Sequence, residues 1–118
     1  MANLVKSSVI TLALCCLTLS GHAYAECIIP AAPIVPDGNV ASEDELVAAQ
    51  NAMKAFQDSL AEHRVCLATE EATFDEDTEG LVELKAALSD QHNASVDAEE
   101  KLADEFNAAV RSFKARQK

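Results

Sequence analysis

The sequence predicts an all-α fold: an antiparallel two-helix hairpin with an extended, proline-bearing N-terminal arm pinned by one disulfide. Three observations predict it. Leu46, Ala49, Met53, Phe56, Leu60, His63 and Leu67 recur at alternating spacings of three and four, a single apolar seam close to a coiled-coil repeat. A second apolar series runs from Leu81 to Phe113, and the stretch between the two is acidic and turn-like. Two cysteines, Cys27 and Cys66, remain once an N-terminal export signal is set aside.

That signal is read at residues 1–25. Lys6 lies near the start, an apolar run from Val9 to Leu17 follows, and Ala23-Tyr24-Ala25 closes it in the small-x-small pattern of a peptidase site. Cleavage after Ala25 removes Cys15 and Cys16 and sends the remaining 26–118, a single domain, to the periplasm or outside the cell, where disulfides persist. The leader's apolar run is far shorter than the about 20 residues that span a bilayer. No later segment approaches that length, so no membrane insertion is expected after cleavage. A domain this small buries only roughly 60–65% of its unfolded surface, which makes a covalent staple expected.

The whole chain carries a formal charge of −11. All 20 acids lie beyond Ala25, and one of the 9 bases, Lys6, precedes it, so 26–118 stands at −12. Such a field repels nucleic acid and anionic lipid. Arg111, Lys114, Arg116 and Lys118 cluster at the C-terminal end, where positive charge complements a helix dipole.

The arm spans 26–41. Pro30, Pro33 and Pro36 recur every third residue and bias the chain toward a polyproline II path. Pro36-Asp37-Gly38 is a turn signal. Ile28, Ile29, Ile34 and Val35 are too apolar for a floppy linker. Helix one is predicted over about 42–73. Ser42 and Glu45 form a capping box at its start. An acidic turn over about 74–78 follows. Helix two is predicted over about 79–115, with Leu81, Leu84, Leu88, Val96, Leu102, Phe106, Val110 and Phe113 inward. The polar patch Ser89-Asp90-Gln91-His92-Asn93 leaves two readings, one long helix bent or frayed near 90–95, or a break there. With no Gly or Pro to enforce a break, the single helix is preferred. In the hairpin, Leu60 is expected near Asn93, Phe56 near Ala98, Met53 near Leu102 and Leu46 near Val110.

A Cys27–Cys66 disulfide fits this layout. Helix one climbs about 36 Å from Ser42 to Cys66, and an extended arm of that length spans about 46 Å. The arm reverses at Pro36-Asp37-Gly38 and just reaches. Ala48, Ala52, Ala55 and Ser59 form a stripe of small residues that offers it a bed. An intermolecular bond through either cysteine is the rival.

Candidate chemistry is sparse. Asp75, Asp77 and Glu79 occupy the first, third and fifth places of a calcium-loop pattern, with Gly80 at the sixth. Ala86 stands where a bidentate Glu should complete it. His63 and His92 fall at similar heights in the hairpin, with Glu62 near, the residue types of a surface metal site. No nucleophile–base constellation, glycine-rich phosphate loop or heme attachment motif is visible, so no catalytic residue, cofactor or resident metal is expected.

Several pieces carry a resemblance: Cys27, Pro36-Asp37-Gly38, Ala49-Gln50, Lys54-Ala55-Phe56, Cys66-Leu67, His92-Asn93-Ala94-Ser95-Val96-Asp97, Phe106-Asn107 and Phe113-Lys114-Ala115-Arg116. Through them the chain resembles a group of uncharacterised small exported (periplasmic) α-helical proteins of Gram-negative bacteria. The resemblance implies an envelope location and carries over no catalytic residue. The function expected is a non-enzymatic structural or interaction module, an envelope adaptor or small holdase-like chaperone, acting on a protein partner or a second copy. The alternative is an ion-binding protein using Asp75, Asp77 and Glu79 or His63 and His92.

Overall fold

The computed structural model describes residues 26–118; the export signal predicted at 1–25 lies outside them. Two helices pack against each other, α1 (Glu43–Glu71) and α2 (Leu81–Arg116). Leu67 and Leu88 share a cluster near the turn, and Leu46 and Ala109 share one at the far end, so the helices run antiparallel. No helix is long and apolar enough to cross a membrane among the described residues.

Helix α1 starts where its capping box says. The Glu45 backbone N–H donates to Ser42 Oγ at 3.2 Å, and the Ser42 N–H donates to the Glu45 carboxylate at 2.7 Å. The Ser42 N–H, and after it the Ser42 hydroxyl at 3.0 Å, donate to the Glu45 carboxylate and hold that carboxyl below its ordinary pKa. The helix ends at Glu71, two residues before the predicted end. The Thr73 hydroxyl donates to the Glu70 carbonyl at 2.7 Å, so this side chain competes for a carbonyl the helix ladder would otherwise use. Helix α2 starts at Leu81, later than predicted, because Gly80 before it sits at φ 69°, a left-handed geometry that favours glycine.

Six of the seven predicted seam residues of α1 are buried, and the seventh, Met53, packs at the edge of the Phe56–Leu60–Leu102 cluster. Helix α2 is continuous for 36 residues through the polar patch. Its buried residues are Leu88, Ser95, Leu102 and Ala109, spaced by seven, which is one position per heptad. Two of these are small, so the bulky predicted residues Val96, Phe106, Val110 and Phe113 flank the seam half-buried rather than forming it. Leu84 is a correction: at 37% exposure it faces solvent.

The arm completes the core. Val35 packs against both the Leu46–Ala109 cluster and the Phe56–Leu60–Leu102 cluster, and Cys27 joins Leu67 and Leu88. The arm therefore runs along the seam between the helices. The predicted stripe of small residues borders the arm rather than burying under it: Ile34 and Pro36 share a groove with Ala48 and Ala52, and Pro30 one with half-buried Ser59, while Ala48, Ala52 and Ala55 remain exposed. The reason is volume. A groove between two helices accepts a branched side chain such as Val35, whereas a flat alanine face offers little apolar area to cover it.

Candidate functional site

The arm and its seat are the most specialised part of the molecule, and three ties hold them. The first is the Cys27–Cys66 disulfide, with Cα atoms 5.7 Å apart. The second is the turn. The Val40 and Ala41 N–H groups donate to the Asp37 carbonyl at 3.0 and 2.8 Å, and the Asp37 side chain accepts from the backbone and side chain of Asn39. Those bonds from Asn39 hold the Asp37 carboxyl below its ordinary pKa. Gly38 lies against α2 so closely that an added Cβ would fall 2.8 Å from the Ala109 Cα and nearer still to its carbonyl. The third tie is Arg116. Its guanidinium donates to the carbonyls of Gly38, at 3.1 Å, and Ala41, while its charge lies 4.9 Å from the centroid of the Phe113 ring.

Between these ties the arm shows a burial period of three. Cys27, Pro30, Pro33 and Pro36 are buried or half-buried, whereas Ile28, Ala31 and Ile34 are exposed. Three residues per turn is the polyproline II period, so one edge of the arm is seated and another faces out. The outward edge is apolar: Ile28 is 76% and Ile34 94% exposed, and Val40 beyond the turn is 78% exposed. Carboxylates flank it, since Ile28 shares a groove with Glu26 and Glu62, and Ile34 shares one with Glu45.

A polar layer joins the two helices near the middle of the seam. Ser95, fully buried, donates to the His92 carbonyl at 2.7 Å and accepts from Arg64 at 3.2 Å. Arg64 also pairs with Glu99 at 2.5 Å, tying α1 to α2. His63 is 4% exposed, and among the described residues neither ring nitrogen has a hydrogen-bond partner. It borders Cys27, Ile28, Pro30 and Cys66.

The residues singled out for ion binding are placed apart. His92 is exposed and borders Arg64 and Lys85 in a separate groove, whereas His63 faces the arm. Asp75 Oδ1 accepts from the Asp77 N–H at 3.0 Å and from the Thr78 hydroxyl at 3.1 Å. That carboxylate closes its own turn, and Glu79 and Ala86 are exposed without a shared centre. Among the described residues no group of three or more His, Cys, Asp and Glu is placed to hold a metal ion.

Sequence reasoning missed Ser95, Arg64 and Phe74, which packs on the Cys27–Leu67–Leu88 cluster. The available signal for Ser95 was its place seven residues from both Leu88 and Leu102. Arg116, expected only to complement the helix dipole, also clamps the Gly38 and Ala41 carbonyls. No family model, curated protein or solved structure matches the chain.

Proposed function

We propose that this protein is a non-enzymatic periplasmic adaptor whose docking surface is the outward edge of the arm. The observation that carries this reading is the exposure of Ile28 and Ile34 on a segment fastened at both ends. A rigid apolar row held in water loses little further entropy when a partner covers it, which is how preorganisation raises affinity. The seam itself is filled by the arm, and the arm's outer edge holds Ile34, the most exposed large hydrophobic among the described residues, whereas the exposed Val47, Val65 and Val82 lie on the helices. The partner that fits is a protein with aliphatic pockets and a basic rim, complementary to Glu26, Glu45 and Glu62. A net charge of −12 for 26–118 opposes both a second copy and an anionic lipid surface. The leader pattern at 1–25 and the disulfide support the periplasmic setting.

A photo-crosslinking residue at position 34 in growing cells tests the reading, with position 85 on the opposite groove as control. The expected result is one discrete heterologous adduct at 34, absent at 85 and lost when Ile28→Ser is added. A smear of many adducts would favour the holdase-like chaperone instead. An adduct of twice the protein's own mass would favour a second copy.

A further inference from the structure

We propose that the Cys27–Cys66 disulfide is the latch of a releasable strap, and that a dithiol reductant opens it with the helical hairpin left intact. Residues 26–34 are the strap. Among the described residues, 28–36 enter no backbone hydrogen bond, and Ile28, Ile29 and Ile34 spend their side chains on solvent. This end is held by the covalent bond, by Cys27, which is buried against Leu67 and Leu88 and has a polar contact of its own, and by two half-buried prolines. Ordering nine residues opposes that modest burial, so the disulfide decides whether the strap stays down. The other end is a hinge with its own anchors. Val35 reaches two core clusters, and Arg116 holds the carbonyls of Gly38 and Ala41. Opening therefore stops at Val35.

Cys66 is the more exposed cysteine, so a partner thiolate attacks its sulfur. A mixed disulfide forms at Cys66, and Cys27 leaves as a thiolate that takes up a proton. The partner's second thiolate then attacks the partner sulfur bound to Cys66. Cys66 leaves as a thiolate that takes up a proton, and the partner departs as a disulfide, so two protein sulfurs are reduced and two partner sulfurs oxidised. Lifting the strap uncovers His63, whose unpartnered imidazole then meets water, together with Leu67 and Leu88. A buried imidazole with no partner is costly in the latched form and relieved in the open one, which favours opening once the bond is cut.

The test is acylation of histidines by diethyl pyrocarbonate, mapped by peptide mass spectrometry, on the oxidised protein and after reduction with a phosphine. His92 is exposed and serves as the internal standard. His63 should react about tenfold faster, relative to His92, after reduction, as expected for a local opening, with the far-UV helical signal retained. The Cys27→Ser/Cys66→Ser double variant should show the same His63 reactivity without reductant. Continued protection of His63 in either form would overturn the proposal, and so would loss of the helical signal on reduction. The measurement uses the isolated protein, so its outcome is independent of the adaptor reading.

Discussion

The guanidinium of Arg116, in the last turn of α2, donates to the carbonyl of Ala41, the residue just before the N-cap of α1, 75 positions earlier in the chain. The same group takes the Gly38 carbonyl and lies over Phe113. One side chain thus joins the turn of the arm, the start of α1 and the end of α2. Removing it orphans two carbonyls at once. Arg116→Ala is expected to lower stability by about 1–2 kcal/mol, since hydrogen bonds from a charged donor are stronger than neutral ones. Arg116→Lys should recover only part of this, because an ammonium lacks the planar fork. Urea denaturation midpoints check both, and an unchanged midpoint for the alanine variant would show that the clamp holds nothing.

Gly38 is required for close approach, not for an unusual φ. Any Cβ there meets the backbone of Ala109 rather than a side chain that can swing away. Gly38→Ala is therefore expected to cost about 1–3 kcal/mol, the range for overpacking a fitted contact. No side-chain substitution at position 109 should rescue it, because the obstructing atoms are main chain. Thermal melts of Gly38→Ala alone and with Ala109→Gly check this, and recovery in the double variant would contradict it.

The helices were legible in the sequence for a physical reason. The α1 seam is built from seven residues at spacings that only a helix face produces, and its capping box is local in the chain. The α2 seam was half hidden because it runs through Ser95 and Ala109, a polar and a small residue that hydropathy does not flag. The larger Val96, Phe106 and Val110 carry the hydropathy signal but lie half-buried on its flanks. The disulfide followed from counting cysteines and chain reach. The seat of the arm was not legible, because the contacts of Val35, Gly38 and Arg116 join positions tens of residues apart and leave no local pattern. His63 could be read as a seam residue or as a ligand, and its lack of any partner is visible only in three dimensions.

The disulfide closes a loop of 39 residues in sequence separation. In the loop-entropy model that stabilises the fold by roughly 3.5–4 kcal/mol. Cys66→Ser should therefore lower the melting temperature markedly, and reductant should lower that of the native protein to match. Identical melting curves for the oxidised and reduced protein would remove the staple from the account. A non-reducing gel showing a dimer would support the intermolecular rival.

Acid should weaken the two ends of the turn into α1. Asp37 and Glu45 both have carboxyl pKa values lowered by donated hydrogen bonds. A depressed folded value means the stabilisation is complete above the ordinary carboxylate range, about pH 4. It is lost as the pH falls through the lower folded values. The contribution of these two carboxyls should be constant from neutral pH down to that range and then be lost. The denaturation midpoint of the combined Asp37→Asn and Glu45→Gln variant should drop less steeply than that of the native protein over the same interval. An equal drop in both proteins would assign the acid sensitivity to other carboxylates.

His63 sits at 4% exposure in the α1 seam, with neither ring nitrogen hydrogen-bonded among the described residues. Burying a polar group without a partner costs about 1–3 kcal/mol, whereas an apolar side chain of similar size incurs no such cost. His63→Leu keeps most of the volume between Leu60 and Leu67 and removes both orphan nitrogens, so it is expected to raise stability by about 1–2 kcal/mol. His63→Ala should instead lower it, because the cavity under the arm outweighs the relief. The two substitutions thus separate polarity from packing. If the leucine variant were less stable than the native protein, the imidazole would have to be making a bond in solution, and the energetic case for an easily lifted strap would fall with it.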